Sequence, residues 1–224
     1  DGVADENASS TTVTMDQNRS VTATFAIDQH LLTLNAGSGG SVSGDGTFDY
    51  GTSASITASP DTGTHFDYWT GSGVTSTTEA STTVTMTADR NVSAVFAPNE
   101  YTLTLSTGTG GSVTGDGNYT YGTNASITAT ADSNYHFVSW NGDGVADSGS
   151  ASTTVTIDQN RSVTASFAID EHTLTVNTGT GGSVSGDGNF TYGTDAGITA
   201  TPDTGYHFVT WTGAGATDPA SAAT

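Results

Sequence analysis

The strongest constraint on the fold of this chain is an internal repeat of 71 residues. The run Gly-Gly-Ser-Val occurs at 39–42, 110–113 and 181–184, and the copies align without a gap. The tryptophans and the basic residues keep the same offset: Trp69, Trp140 and Trp211, and Arg19, Arg90 and Arg161. A chain of 224 residues with this period is expected to fold as a series of similar small units.

The period divides the chain into two whole repeats and two partial ones. We expect the C-terminal part of a repeat at 1–29, whole repeats at 30–100 and 101–171, and the N-terminal part of a repeat at 172–224. Residues 12–30 and 154–172 differ at three of 19 positions. Residues 1–11 and 214–224 occupy the same repeat positions, an overlap of 11 residues. This arrangement is typical of a segment taken from a longer array of repeats.

Alternation of apolar and hydroxyl residues predicts that each repeat is built from β-strands. In the second whole repeat, Tyr101, Leu103 and Leu105 alternate with Thr and Ser, and the same pattern returns around Ile127. The run Gly-Asp-Gly-Asn at 115–118 predicts a hairpin turn. No segment has the apolar periodicity of a helix. The predicted fold class is an all-β tandem array of 71-residue domains without helices of note.

The aromatic residues supply the largest side chains for cores of this size, since a unit of about 70 residues must bury most of its apolar set to be stable. We expect the following to be core residues: Trp69, Trp140, Trp211, Phe66, Phe137, Phe208, Phe25, Phe96 and Phe167. In the second whole repeat we assign these further residues to the same core: Leu103, Leu105, Val113, Tyr121, Ile127, Val155, Ile157 and Val163.

The charge of the chain excludes several classes of function. There are 23 acidic and three basic residues, which gives a formal net charge of −20. Such a surface repels phosphate backbones and anionic headgroups, so we expect no nucleic-acid partner.

No apolar stretch approaches the roughly 18 residues that a membrane-spanning helix needs. The absence of cysteine excludes disulfides, thiol catalysis and thiolate metal sites.

The motifs of the repeat resemble a known family. They are Gly181–Val184, Gly186–Gly188, Tyr192–Thr194 and Ile198–Trp211, together with the closing run Asn160–Phe167. This pattern is similar to the divergent internalin B-repeat family and covers essentially the whole chain. The resemblance implies a β-grasp-like domain or a small sandwich, in tandem on large bacterial or archaeal surface or secreted proteins. It implies an extracellular location and no catalytic residues.

The residues themselves give no sign of an active site. Serine and aspartate are so frequent that their proximity carries no information, and no nucleophile elbow between a strand and a helix is present. The acidic pair Asp170-Glu171 becomes Asp28-Gln29 and Asn99-Glu100 in the other copies. Because the pair is not kept from copy to copy, we expect no enzymatic activity.

Calcium is the one ligand for which the sequence offers candidates, so we expect either no cofactor or calcium. Calcium binds carboxylate and carbonyl oxygens in flexible loops. One candidate site is the loop with Asp143 and Asp147, whose counterparts are Asp1 and Asp5. The second candidate is the acidic group at the repeat junctions: Asp28, Glu100, Asp170 and Glu171. A solvated turn is the alternative interpretation of the first candidate, and ions at the second could stiffen the array.

The single arginine of each repeat is the candidate for a structural ion pair. Arg19, Arg90 and Arg161 follow an Asp-Gln-Asn-like turn in an acidic chain. A guanidinium group can hold a carboxylate through two hydrogen bonds, so we expect each arginine to pair with a carboxylate or to cap carbonyl groups.

These features favour a structural segment of a large adhesin-like surface or secreted protein, a stalk or fibre outside the cell. Its expected partners are neighbouring repeats. One alternative is a self-assembling filament subunit, in which residues 1–29 of one copy complete 172–224 of the next by strand addition. Another is an adhesion module whose exposed aromatic residues bind surface glycans or proteins.

Overall fold

The computed structural model describes residues 2–213, 215 and 220–223. Every regular element in this part of the chain is a β-strand, and none of it is helical. The all-β prediction is therefore confirmed. The chain forms two compact units, Asp1–Ala97 and Pro98–Thr224. The first contains all but the last three residues of the repeat at 30–100, and the second contains the whole repeat at 101–171.

Each whole repeat contributes seven strands at equivalent positions. In the first whole repeat they are β1 (Gln29–Ala36), β2 (Gly40–Ser43), β3 (Gly46–Asp49), β4 (Ser53–Pro60), β5 (Thr64–Thr70), β6 (Ser81–Thr85) and β7 (Arg90–Pro98). In the second they are β8 (Glu100–Thr107), β9 (Gly111–Thr114), β10 (Gly117–Thr120), β11 (Asn124–Ala131), β12 (Tyr135–Asn141), β13 (Ser152–Thr156) and β14 (Arg161–Ile169).

Successive strands alternate between two sheets. The odd-numbered strands of the first whole repeat form a four-stranded sheet in the order β3-β1-β7-β5, and the even-numbered strands form a three-stranded sheet in the order β2-β4-β6. The second whole repeat has the corresponding sheets β10-β8-β14-β12 and β13-β11-β9. The first and last strands of each repeat pair in parallel, and the other pairs with a determined register are antiparallel.

The core of each repeat lies between its two sheets. In the second whole repeat, Leu103 and Val163 from one sheet and Ile127 and Val155 from the other are at most 1% exposed, and Trp140 packs with them. The strand period of two places these residues on one face and the hydroxyl residues on the wet face. Since no helix covers a sheet in the described residues, the domain is a small two-sheet sandwich.

One assigned core residue of this repeat lies outside the core. Tyr121 is 38% exposed, whereas Tyr119 packs against the core and donates a hydrogen bond from its hydroxyl group to the carbonyl oxygen of Gly115 at 2.8 Å. The reason is that β10 ends at Thr120, so Tyr121 falls in the following turn and leaves the alternation.

The partial repeats form strands only where a partner strand is present. Residues 172–213 contribute to β15 (Glu171–Leu174), β16 (Gly182–Ser185), β17 (Gly188–Thr191) and β18 (Thr199–Pro202), which pair as β15-β17 and β16-β18. Residues 206–212 correspond to β12 but form no strand, because β12 pairs only with β14 and these residues have no such partner in the described chain.

Residues 2–28 form no β-strand and are mostly exposed. They make one isolated bridge, between Val3 and Val13. Phe25, expected in a core, is 91% exposed because no sheet of the described chain covers it. Its counterparts Phe96 and Phe167 are half-buried against the cores of the whole repeats, as expected.

Candidate functional site

The central feature of each whole repeat is the parallel pairing of its first and last strands. Five residues of β1 lie opposite five of β7, from Leu32 opposite Arg90 to Ala36 opposite Ala94. The pair β8 and β14 has the same register, beginning with Leu103 opposite Arg161. Because these neighbours run in parallel, the chain enters the repeat at one end of the four-stranded sheet and leaves at the opposite end.

Side chains reinforce this pair on its exposed face. The amide nitrogen Nδ2 of Asn35 donates to Oδ1 of Asn91 at 2.6 Å in the first whole repeat. In the second, Ser106 at the position of Asn35 contacts its register partner Thr164, and their hydroxyl oxygens are 2.7 Å apart. These contacts join the first strand directly to the last.

The turn before the last strand is also tied to the first strand. Oδ1 of Asp89 accepts a hydrogen bond from the backbone N–H of Leu31, and Oδ1 of Asn160 accepts one from Thr102, both at 2.9 Å. This contact was not predicted from the sequence. Its signal was present, since an Asp or Asn directly precedes every arginine of the chain.

The arginine that follows this Asp or Asn holds the loop between the fifth and sixth strands of its repeat against the turn before the last strand. Nη2 of Arg161 donates to Oδ1 of Asp158 at 2.6 Å, and the side chain is only 12% exposed. The guanidinium group lies over Gly144, where an added Cβ would come within 3.3 Å of its central carbon. Val145, next to Gly144, bridges to Val155 of β13. Arg161 thus fixes the loop between β12 and β13.

Arg19 and Arg90 occupy the repeat position equivalent to that of Arg161, and only Arg90 has a different hydrogen-bond partner in the turn. Arg19 pairs with Asp16 at 2.6 Å, as Arg161 does with Asp158. In the first whole repeat the acidic position is Thr87, and Arg90 donates to Oγ1 of Thr87 at 2.9 Å and to Oγ of Ser72 at 2.8 Å. Among the described residues, Arg90 has no carboxylate partner because a hydroxyl group replaces the carboxylate, but its Nε donates to the carbonyl oxygen of Thr85 at 3.4 Å, which is the other contact expected of these arginines.

We expect Arg161→Ala to destabilise the second whole repeat by about 1–2 kcal/mol, through loss of a charge-assisted hydrogen bond and of packing on Gly144. Asp158→Thr is the matched control. It should cost no more than about 0.5 kcal/mol, because a threonine serves the equivalent arginine of the first repeat. Urea unfolding followed by hydrogen exchange of residues 142–147 measures both. Equal losses in the two variants would show that the arginine does not act through this geometry.

The structure places the first set of calcium candidates in turns. Oδ1 of Asp147 accepts a hydrogen bond from the N–H of Gly149, and Oδ1 of Asp5 accepts one from Asn7, both at 2.9 Å. Asp143 lies one residue before Gly144, and Asp1 lies outside the described residues. No three His, Asp or Glu residues converge within the part of the chain that the structure describes. A calcium site at these residues stays a prediction.

The junction candidates are divided between the two units. Asp28 belongs to the first unit, and Glu100, Asp170 and Glu171 belong to the second. Oδ1 of Asp170 lies 2.9 Å from Nδ1 of His136, and its backbone carbonyl oxygen accepts a hydrogen bond from Tyr192 at 2.7 Å. The Asp170 carboxylate is therefore engaged within the protein.

The tryptophans of the whole repeats lie in the cores. Trp69 and Trp140 are 2% and 3% exposed, and their indole N–H groups donate to the carbonyl oxygens of Glu79 and Ser150, each at 3.0 Å. Trp211 makes the same bond to Ser221 but is only half-buried. A ring covered on both faces offers no platform for a sugar, which removes Trp69 and Trp140 as glycan-binding residues.

The phenylalanines complete a cluster of three rings in each whole repeat. Phe66 lies between Trp69 and Phe96, at centroid distances of 5.4 and 6.1 Å. The equivalent rings are Trp140, Phe137 and Phe167, with distances of 5.6 and 6.0 Å. In the last partial repeat, Phe208 lies 5.4 Å from Trp211.

Aromatic pairs with one exposed tyrosine each recur at another repeat position, and the sequence pattern did not predict them as pairs. His30 lies 6.0 Å from Tyr50, and the equivalent pairs are Tyr101 with Tyr121 at 6.5 Å and His172 with Tyr192 at 6.2 Å. The constant spacing of 20 residues between the partners was the available signal. The second residue of each pair, Tyr50, Tyr121 or Tyr192, is 38–54% exposed and is therefore open to a ligand.

No helix long and apolar enough to cross a membrane occurs among the described residues.

Comparison with known proteins agrees with the repeat pattern. The profile of the divergent InlB B-repeat domain matches four segments: 1–29, 30–100, 101–171 and 172–224. No curated protein and no solved structure gave a significant match. The matched domain is a structural repeat that is associated with bacterial surface proteins and is not known as an enzyme. Since the matches extend over the whole sequence, the chain belongs to the divergent InlB B-repeat family.

Proposed function

We propose that this chain is a load-bearing spacer, a stalk segment of a large surface or secreted protein outside the cell. The observation that carries the proposal is the parallel pairing of the first and last strands in both whole repeats. A spacer transmits force between what lies before it and what lies after it. The role requires no catalytic residue and no cofactor.

Parallel terminal strands resist force along the chain for a geometric reason. Tension on the two ends of a repeat pulls β1 and β7 past each other, along the strand direction. All hydrogen bonds between them are then loaded together, and none breaks before its neighbours. The hydrogen bonds that Asp89 and Asn160 accept from the first strand also join it to the turn before the last strand. They therefore bear part of the same tension and add to the resistance.

The charge distribution supports an extended role in solution. The formal net charge is −20, and the only basic residues are the three arginines that hold the loops. With those guanidinium groups engaged, the remaining formal charges on the surface are acidic, and they repel one another. Self-repulsion keeps such a chain soluble and opposes collapse.

Single-molecule pulling through the chain ends tests the proposal. The start of β1 at Gln29 and the end of β7 at Pro98 are about 36 Å apart along the strands, at roughly 3.3 Å per residue. Unfolding one repeat of 71 residues should therefore lengthen the chain by about 210 Å. We expect two events of this size. A chain that extends without resistance would contradict a load-bearing role.

An adhesion module is the second candidate, and the recurring exposed tyrosines favour it. Tyr50 and Tyr192 are 54% and 50% exposed, each beside a histidine. Such rings stack on sugars or on apolar groups of a protein. Binding of the chain to a glycan array, lost in Tyr50→Ala and Tyr192→Ala variants that stay folded, would support this function. Unchanged binding in both variants would exclude these rings.

A further inference from the structure

Seven asparagines of the chain begin an Asn-x-Ser or Asn-x-Thr triplet, the acceptor pattern for N-linked sugars. They are Asn7, Asn18, Asn91, Asn118, Asn124, Asn160 and Asn189. An aspartate stands two residues before six of them, and only Asn124 lacks it. The seven triplets occupy five positions of the repeat, and four of these positions have the aspartate. Since only 23 of 224 residues are acidic, this frequency is far above chance.

The structure divides these six aspartates into two groups. Four of the carboxylates accept a hydrogen bond within the protein, from a backbone N–H group or from an arginine: Asp5, Asp16, Asp89 and Asp158. The other two, Asp116 and Asp187, are exposed and have no hydrogen-bond or ion-pair partner among the described residues. They lie at equivalent positions, in the turns before β10 and β17. Their charge is therefore available to an external partner.

The asparagines that follow these two aspartates present a free amide nitrogen. Oδ1 of Asn118 accepts a hydrogen bond from the hydroxyl group of Thr102 at 2.9 Å, and Oδ1 of Asn189 accepts one from Thr173 at 2.7 Å. Neither Nδ2 atom donates a hydrogen bond within the described part of the chain. Because a substituent on Nδ2 leaves Oδ1 as an acceptor, a modified asparagine would keep its bond to the neighbouring strand.

The strand that contains Asn118 exposes the whole triplet. β10 is an edge strand of its four-stranded sheet, so one edge of its backbone has no partner strand. Because side chains alternate along a strand, Asn118 and Thr120 lie on the same exposed face, whereas Tyr119 packs against the core. Gly117, before the asparagine, has no side chain that could cover the amide. A protein that binds an extended segment can therefore reach Asn118 and Thr120 together.

We propose that Asn118 and Asn189 are acceptors of N-linked sugars, and that each is recognised through the free aspartate two residues before it. A basic group of an oligosaccharyl transferase would pair with Asp116 or Asp187 through a charge-assisted hydrogen bond. The inference rests on the proposed location outside the cell, since sugar transfer from a lipid carrier occurs on exported chains. It adds a modification site to the spacer role.

The transfer forms one bond and breaks another. Nδ2 of the asparagine bonds to the anomeric carbon of a sugar that is carried on a lipid pyrophosphate. The bond from that carbon to the phosphate oxygen breaks, and the lipid pyrophosphate leaves with the electron pair. Nδ2 gives up one proton to a base of the transferase.

Glycopeptide mass spectrometry of the chain from the cells that make it tests the proposal, with fragmentation to locate each sugar. We expect sugar on Asn118 and Asn189. Asn124 is the internal control and should stay unmodified, because it begins the same kind of triplet without the aspartate. Absence of sugar from both Asn118 and Asn189 would overturn the proposal. That result would leave the spacer role standing, since the pulling experiment does not depend on sugars.

The variant Asp116→Ser separates recognition of the charge from mere exposure. The purified folded chain is treated with a bacterial oligosaccharyl transferase that accepts an acidic residue two positions before the asparagine, together with its lipid-linked oligosaccharide. We expect the rate of modification at Asn118 to fall about tenfold through loss of the charge-assisted contact, while Asn189 of the same molecule keeps its rate. An unchanged rate at Asn118 would overturn the proposal.

Two controls complete this measurement. Asp132→Ser removes another exposed carboxylate that precedes no acceptor triplet, and it should leave the modification of Asn118 and Asn189 unchanged. A peptide of residues 114–122 shows that the transferase is active on this sequence. If the peptide is modified and the folded chain takes sugar at neither site, the exposed triplets of the folded repeats are not acceptors, and the proposal fails.

Discussion

Replacing Trp140 by alanine should remove most of the stability of the second whole repeat while the first stays folded. Trp140 is 3% exposed, contacts Phe137 and donates its indole N–H to Ser150. Truncation of a buried tryptophan costs about 3–5 kcal/mol. A domain of this length has a stability of roughly 4–10 kcal/mol, so the loss is a large fraction of the total.

Urea unfolding combined with hydrogen exchange resolves the two repeats. In Trp140→Ala, β8 to β14 should exchange at much lower urea concentration than β1 to β7, whose core contains Trp69. Val138→Ala, a change on the exposed face of β12, is the control and should shift neither transition measurably. Loss of both repeats together would show that they are one cooperative unit and would contradict separate cores.

A single methyl group at Gly115 is expected to have an effect of similar size. Gly115 has φ of +112°, and an added Cβ would overlap the carbonyl oxygen of Ser126 in β11. Both the backbone conformation and the close approach of the turn after β9 to the neighbouring strand β11 therefore require glycine. We expect Gly115→Ala to destabilise the repeat by more than about 3 kcal/mol, since strain of about 1–3 kcal/mol adds to a clash with backbone.

Gly122→Ala separates the clash from the strain. Gly122 also has a positive φ, +81°, but no atom lies within 4 Å of the added Cβ. Its cost should be limited to the left-handed conformation, about 1–2 kcal/mol. Chemical unfolding of both variants under one set of conditions gives the comparison. If Gly115→Ala is no more costly than Gly122→Ala, the close contact with Ser126 does not hold in solution.

The strands could be predicted from the sequence because their signal is local. Alternation around Leu103 and Ile127 predicts a strand with one buried face, and β8 and β11 occur there. The pairing of β8 with β14 could not be predicted, because it joins residues 58 positions apart and no short pattern encodes that choice. Tyr121 was misplaced for a related reason, since the alternation does not show where β10 ends.

The residues of the candidate site were only partly predictable. The constant arginine position indicated a structural role, but not that Thr87 would replace an aspartate as the partner of Arg90. Acidic spacing in a Gly-rich loop cannot distinguish a calcium ligand from a turn-forming aspartate, and Asp147 bonds the backbone of its own turn. The exposure of Phe25 depends on which strands are present to cover it, and this is a property of tertiary structure.

The dependence of unfolding force on pulling direction is the most direct test of the central claim. Tension between the ends of the second whole repeat should load β8 and β14 in shear. Tension applied through Glu100→Cys and Gln159→Cys acts at one end of the same parallel pair and should peel the strands apart one hydrogen bond at a time. The chain has no cysteine of its own, so these attachment points are unique. A clearly higher unfolding force between the ends is the expected result. Equal force in the two directions, or a lower force between the ends, would contradict a load-bearing role for the terminal strands.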